Sequence, residues 1–541
     1  VNGKGDIGYR YGKAYGRYLT DVSRWTAGYV IGREISPQEV DTTDTRNPSV
    51  TSFNGRYLSI SGGKASEVFC ARMLEQTIIY EANNYSTRRP VSISSWPTLD
   101  PLSHPTEIHT DEDKAHYDIT KISLNMPESG IFASYHAYPY YPNFISEQPS
   151  YLGYSDEHGP NSYLGYLHDL KDHYSGMPLV IAEFGVPSSW GSAHQSYSDM
   201  HHGGYSEKQQ GEKNMRLMHN ILEAGCAGGF MFAWMDEWFK PTWIVSYLEA
   251  YGSNIGGNLI PTRQLWHNLT SPEQNFGLVT FDQRNVDPFI AYQISQPGGP
   301  VRKINATHDN SFFFLDIEAG RQLEAGDTVM VAFDTYLAGL GESRLPNGKI
   351  LDNRSEFLMT MVLSRDTAFY HVTQAYDMNG LTPRFDLSNH AVQRYRSTVT
   401  DGAPWVLMHW YNDGFRHEGQ YIGKFPMENS PDFTFGEMTA VAWSGNKIRI
   451  RVPWTLLYFY DPTQMKVIDG AVSYDGGYNY VISTAESDGI AVSVYLDKKV
   501  TSTVSRYNWE KWLIVPSTVS REKKSLEIVR SGLTAIPRFS D

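Results

Sequence analysis

Between residues 25 and 240 the chain alternates short apolar runs with amphipathic helical stretches, and few folds tolerate that alternation. Trp25–Ile35 (WTAGYVIGREI), Pro90–Trp96 (PVSISSW), Gly130–Tyr138 (GIFASYHAY), Pro178–Gly185 (PLVIAEFG) and Cys226–Trp234 (CAGGFMFAW) read as five strands. In Ala65–Tyr85, Cys70, Met73/Leu74, Thr77/Ile78 and Glu81 recur at helical spacing. Ser162–Tyr174 reads as a second helix. A third opens at Ser206 with Gln209 in a capping-box pattern, carries Met215, Met218, Ile221 and Leu222, and stops at Gly225. Continuous apolar strands separated by such helices predict a parallel sheet covered on both faces. A doubly wound sheet is the structural alternative, but no glycine-rich phosphate loop supports it.

In parallel α/β folds the chemistry collects at the carboxyl ends of the strands. Here those ends carry Arg33-Glu34, Trp96, Tyr135-His136 with Tyr138, Glu183, and Trp234 with Asp236-Glu237. Cleaving a glycosidic bond takes two carboxyl groups, one to protonate the leaving oxygen and one to attack or to activate water. Glu34 and Glu183 occupy strand ends that can face one cleft. Glu183 directly follows Leu179-Val180-Ile181-Ala182. An acid placed there is costly unless it is paired or functional. The alternative is a structural salt bridge at a strand end, and function is ranked ahead of it because active-site carboxylates favour this position.

PLVIAEFG, SYHAYPYY and GGFMFAWMDEWFK resemble the last strands of clan A glycoside hydrolases, the superfamily of β-galactosidases and β-glucuronidases. The resemblance covers roughly residues 20–240. It implies a (β/α)₈ barrel of which this chain carries strands four to eight. It further implies Glu183 as nucleophile, Glu34 as acid/base, His136 and Tyr138 beside the nucleophile, and Trp234 under the sugar. Trp96 joins the expected substrate-binding set, as do Asp236 and Glu237, which either hold a substrate hydroxyl or cap the helix that follows. Members of the clan carry Asn before the acid/base, where it bonds the sugar 2-hydroxyl. Arg33 stands there instead, and Arg only donates and is always charged. Either the substrate differs at that hydroxyl, or the barrel has lost its chemistry and binds glycans without cutting them.

A complete barrel needs eight strands and about 250 residues. Val1–Thr20 is too short for three strand–helix units of roughly 30 residues each. An upstream segment or a second chain is therefore expected to supply strands one to three, with the upstream segment preferred.

Beyond residues 241–300, a mixed connector ending in Gln296-Pro297-Gly298-Gly299-Pro300, the helical period disappears. Phe357, Met359, Met361 and Leu363 alternate with their neighbours, as do Ile448, Ile450 and Val452, and Val492, Val494 and Leu496. Residues 301–541 thus read as an antiparallel β-sandwich or jelly roll. It either holds polysaccharide, with Trp405, Trp410 and Tyr411 as the candidate platform, or braces the barrel.

The formal charge of −14 and the lack of Lys/Arg clusters argue against nucleic acid. No apolar run reaches the ~18 residues of a membrane span. Cys70 and Cys226, the only cysteines, are expected to be buried free thiols. His194, His201 and His202 fit no zinc spacing and are expected to be solvated in their loop. Neither metal nor cofactor is expected. An oligo- or polysaccharide substrate places the protein outside the cell, at its surface or in the periplasm.

Overall fold

The computed structural model describes every residue except 11–14, 239, 241–253, 256–257, 260–265, 284–288, 378–392, 410–421, 434, 475–479, 513–516 and 538–541. The protein mixes helix and sheet and forms two compact units. The first comprises Val1–Gly185, Ser196–Met200 and Asn214–Phe232. The second comprises Val186–Gln195, His201–Lys213 and Ala233–Asp541. The units interleave along the chain rather than meeting at one boundary at residue 240. Much of the connector lies outside the described residues, and its described part belongs to the second unit.

The first unit is organised by five parallel strands, β1 (Tyr29–Ile31), β2 (Val91–Ile93), β3 (Ala133–His136), β4 (Leu179–Phe184) and β5 (Gly228–Met231). They stand side by side in chain order. β1 pairs with β2, and β4 pairs with both β3 and β5. Parallel bridges Val91–Ile131 and Ser95–Tyr135 join β2 to β3. Neighbouring strands run the same way because a helix or loop excursion returns the chain to its starting edge each time. Among the described residues, β1 hydrogen-bonds only β2 and β5 only β4.

Four helices matter to the argument: α1 (Pro37–Arg46), α2 (Ala65–Tyr85), α3 (Ser162–His173) and α4 (Glu207–Glu223). Helix α2 starts where Glu67 reaches back to the amide of Lys64 at 2.7 Å, closing a helix end that would otherwise leave donors bare. The Ser206–Gln209 capping box opens α4, with reciprocal bonds of 3.0 and 3.2 Å, and Gly225 follows it at φ +78°. Val68, Ala71, Leu74 and Ile78 of α2, Tyr163, Leu167 and Leu170 of α3, and Leu217 and Ile221 of α4 are buried with Val91, Ala133, Leu179 and Ile181 of the strands. Gly229 of β5 permits this packing: a Cβ there would stand 2.8 Å from the Phe184 ring and 3.0 Å from Ile221. Both cysteines are buried and free, and burial pushes each thiol up to about 12.

In the second unit the strands β6 (Val301–His308), β7 (Phe312–Ala319), β8 (Thr328–Asp334), β9 (Phe357–Val362), β10 (Thr367–Thr373), β11 (Lys424–Asn429), β12 (Val441–Ser444), β13 (Lys447–Pro453) and β14 (Ala491–Leu496) belong to one sheet. Its order is β6-β7-β13-β12-β11-β10-β9-β8-β14, with Ile290–Tyr292 outside β6, Lys499–Ser502 outside β14 and Trp405–Leu407 beside β10. The alternating residues read from the sequence line a single core, with Phe357, Met359, Ile448, Ile450, Val492 and Val494 all in it. The strands form one continuous sheet, curled so that both halves share this core. The joint is the parallel pairing of β11 with β12, Met427 opposite Val441, in an otherwise antiparallel sheet.

Candidate functional site at the strand ends

Three strand ends of the first unit bring Glu34, His136, Tyr138 and Glu183 together. Glu34 stands three residues past β1, beyond Gly32, whose φ of +99° turns the chain out of the strand. Only glycine adopts that conformation without strain. The loop is then pinned twice. Trp96, following β2, donates its indole N–H to the Ile35 carbonyl at 2.9 Å, and Arg33 donates to the Glu34 carbonyl at 2.8 Å.

Glu183 is aimed by an irregularity of β4. The ladder to β3 slips between Ile181 and Glu183, and the ladder to β5 slips between Ile181 and Phe184. An extra residue on one strand rotates the side chains beyond it, which is how bulges re-aim residues beside active sites. After the slip Glu183 lies opposite His136, and the Ala137 amide donates to the Glu183 carbonyl at 2.9 Å.

The side chains converge on the His136 ring. Its Nδ1 is 2.9 Å from Glu34 Oε1 and 3.4 Å from Glu183 Oε2. Its Nε2 is 3.1 Å from Ser94 Oγ, just past β2. The Tyr138 hydroxyl donates to Glu183 Oε2 at 2.9 Å. Side-chain exposure falls from 43% at Glu34 to 30% at Glu183 and 14% at His136, so the carboxylates face solvent and the ring lies beneath them. One carboxylate oxygen of each glutamate and Nδ1 of His136 lie within 4.8 Å of one another. The cluster can therefore exchange a proton between two carboxyl groups, hold a sugar between them or hold a cation. Ser94 was not singled out from the sequence, although it stood in the quoted run PVSISSW; a serine at a strand end carries no distinguishing signal.

Other expected site residues are placed differently. Arg33 turns away to Glu39 of α1, 2.7 Å off, with most of its side chain exposed. Trp96 packs beside Tyr141, their ring centroids 6.2 Å apart, and positions the Glu34 loop. Trp234, Asp236 and Glu237 belong to the second unit. Trp234 is 60% exposed there. Asp236 is buried and cannot meet a substrate. Its carboxylate accepts from the buried Lys523 ammonium at 2.7 Å and from the Gly277 amide at 2.9 Å. Glu237 is partly buried, 3.9 Å from Lys240.

The histidine loop also departs from expectation. His202 is buried and 3.0 Å from Glu273, and the His194 ring stacks on it at 5.8 Å. Burial pushes the Glu273 carboxyl up, but the His202 hydrogen bond and the Lys240 charge outweigh it and bring the carboxyl down to about 2. In the second unit Trp405 is half-buried and bonds the Arg344 carbonyl at 2.9 Å, which ties it into the fold. Trp410 and Tyr411 lie outside the described residues. No helix among the described residues is long and apolar enough to cross a membrane.

No family model matches the chain, and no curated protein matches it. Among solved structures it is similar to an FMN-binding β-glucuronidase from Facaelibacterium prausnitzii L2-6, at 14% identity and a TM-score of 0.21, over 57% of this chain and 37% of that one. The chain thus spans little more than a third of that protein's length. A likeness of that depth adds nothing to the geometry, on which the functional reading rests.

Proposed function

We propose that the protein is a retaining glycoside hydrolase acting on a β-linked glycan, with Glu183 as nucleophile and Glu34 as acid/base. One observation carries the reading: carboxylate oxygens of Glu34, past β1, and Glu183, on β4, lie within 4.8 Å of each other. Retaining enzymes hold their two carboxyl groups about 5–5.5 Å apart, whereas inverting ones leave about 6.5–9.5 Å for a water. Glu183 attacks the anomeric carbon while Glu34 protonates the departing oxygen. Glu34 then takes a proton from water, whose oxygen displaces Glu183 from the sugar. Tyr138 orients the nucleophile by its hydrogen bond. In this reading the five parallel strands are the last five of an eight-stranded barrel, completed by an upstream segment or a second chain, and the enzyme works outside the cell or in the periplasm.

The test is a panel of aryl β-glycosides that includes glucuronides and galactosides. Hydrolysis with retention at the anomeric carbon, reduced by at least about 10³-fold in Glu183→Gln with the fold intact, is the expected result. Inversion, or unchanged turnover in Glu183→Gln, sinks the assignment. A second reading, a glycan-binding protein with a degenerate site, is favoured by Arg33, which is engaged with Glu39. Sugar binding by the protein with no hydrolysis of any panel member decides for it.

A further inference from the structure

We infer that Glu34, His136 and Glu183 also form a binding site for one divalent transition-metal ion of the zinc class. The inference goes beyond glycoside cleavage and does not depend on it, because it rests on how three ligand atoms are spaced and backed. His136 Nδ1 is 2.9 Å from a Glu34 oxygen and 3.4 Å from a Glu183 oxygen, and the three atoms lie within 4.8 Å of one another. With zinc–ligand bonds of about 2.0–2.2 Å, tetrahedral ligands stand roughly 3.3–3.6 Å apart. The two edges at His136 already fall near that spacing, and the carboxylate–carboxylate edge reaches it when the two partly exposed glutamates approach each other by about an ångström.

The atoms behind the triangle are those a ligand set needs. A metal takes the Nδ1 lone pair, so the ring proton resides on Nε2, and a metal-bound histidine donates that second N–H to an acceptor. Ser94 Oγ, on a residue only 5% exposed, stands 3.1 Å from Nε2. A ligating carboxylate is in turn hydrogen-bonded, and Tyr138 donates to Glu183. One nitrogen with two oxygens selects a borderline cation over magnesium or calcium, which prefer all-oxygen sets. Three protein ligands with solvent on the open side leave room for water, the composition of an open rather than a closed structural site. The ligands come from three separate strands, Glu34 being 102 residues from His136, so no sequence spacing announces them.

An ion here takes both carboxylates, so metal occupancy and glycoside cleavage exclude each other. The experiment titrates chelator-treated protein with zinc chloride in a calorimeter, in two buffers of different ionisation enthalpy, and follows the visible d–d bands of Co²⁺ as a second readout. One equivalent is expected to bind, tetrahedral Co²⁺ bands are expected to appear, and millimolar Mg²⁺ should not compete. His136→Ala abolishes the bands. Ser94→Ala, which leaves all three ligands in place, weakens binding by about 10–100-fold. Thermal melts of both variants report folding, and Ser94→Ala keeps the test valid if His136→Ala does not fold. Absence of one-equivalent binding, or binding unchanged in both variants, overturns the site and places any zinc elsewhere. Hydrolysis of an aryl glycoside without zinc uptake defeats this inference alone. Zinc uptake together with no hydrolysis by the chelator-treated, zinc-free protein defeats the glycosidase reading alone.

Discussion

Tyr138 donates its phenolic proton to Glu183 at 2.9 Å, and in the proposed glycosidase reading that bond helps to orient the attacking carboxylate. A hydrogen bond to a charged group contributes about 1.5–3 kcal/mol. Tyr138→Phe is therefore expected to lower kcat by about 10–100-fold while leaving KM and the melting temperature nearly unchanged. A variant with wild-type kcat would mean that Glu183 is oriented by something else. Residues of this kind are legible where their surroundings contradict their chemistry. Glu183 after four apolar residues, and His136 with Tyr138 at the end of a buried strand, each violate the local pattern. Ser94 violates nothing and passes unnoticed. Asp236 was misread for the opposite reason: it too breaks an apolar run, but the lysine that satisfies it arrives 287 residues later. His202 was taken for a solvated residue because its partner Glu273 likewise lies far along the chain, outside the loop.

At the scale of elements, the three helices read from the sequence were legible to within a residue or two, whereas α1 and the C-terminal helix Lys524–Ala535 went unread. Ala65–Tyr85 matches α2 end to end, because an apolar period of 3.6 and a capping glutamate are both local signals. The slip in β4 that aims Glu183 is not local, since it exists only against the registers of β3 and β5. Likewise the alternation in β9 and β13 gave their inward faces, but the parallel pairing of β11 with β12 depends on chain geometry that alternation does not encode. The pairing of β8 with β9 has a testable consequence. Glu356, one residue before β9, is fully buried. It accepts from the Thr335 amide at 2.9 Å and from Ser397 Oγ at 2.6 Å. Burial, reinforced by the nearby Asp334 carboxylate, raises its pKa above the ordinary carboxyl range. A raised acid holds a proton in the folded state that the unfolded chain releases. Stability is therefore lost as pH climbs from the ordinary carboxyl pKa towards the folded one. Glu356→Gln, which keeps an acceptor oxygen and needs no ionisation, should raise the melting temperature by roughly 2–4 °C at pH 8 and by much less at pH 5. An equal shift at both pH values would show that the carboxyl is not the group responsible.

For the whole molecule the informative feature is apolar surface left without cover. Helix α2 buries Val68, Ala71, Leu74 and Ile78 on one side, yet on the opposite side it carries Phe69 at 58%, Met73 at 40% and Tyr80 at 61% exposure. These three fall at i, i+4 and i+11, one continuous stripe along the helix. A helix that is apolar on two faces belongs between two surfaces rather than between a core and water. The end strands of the parallel sheet add Val30 at 42% and Phe230 at 66% exposure, on strands whose backbones pair on one side only among the described residues. An N-terminal hairpin, Gly5–Ile7 with Gly16–Tyr18, stands near the α2 stripe and leaves a cleft of about 600 Å³ lined by Tyr18, Tyr29, Met73 and Tyr80. Exposed apolar stripes and unpaired parallel edges are where chains associate. The 541-residue chain expressed alone is therefore expected to self-associate at micromolar concentration, as read by light scattering on an eluting column. The triple variant Phe69→Lys, Met73→Lys, Tyr80→Lys replaces side chains already in water, so it should shift the population towards monomer without lowering the melting temperature. If the wild type elutes as a monomer, the stripe is ordinary surface. If the variant unfolds, the stripe packs inside the fold, and the two-faced reading of α2 fails.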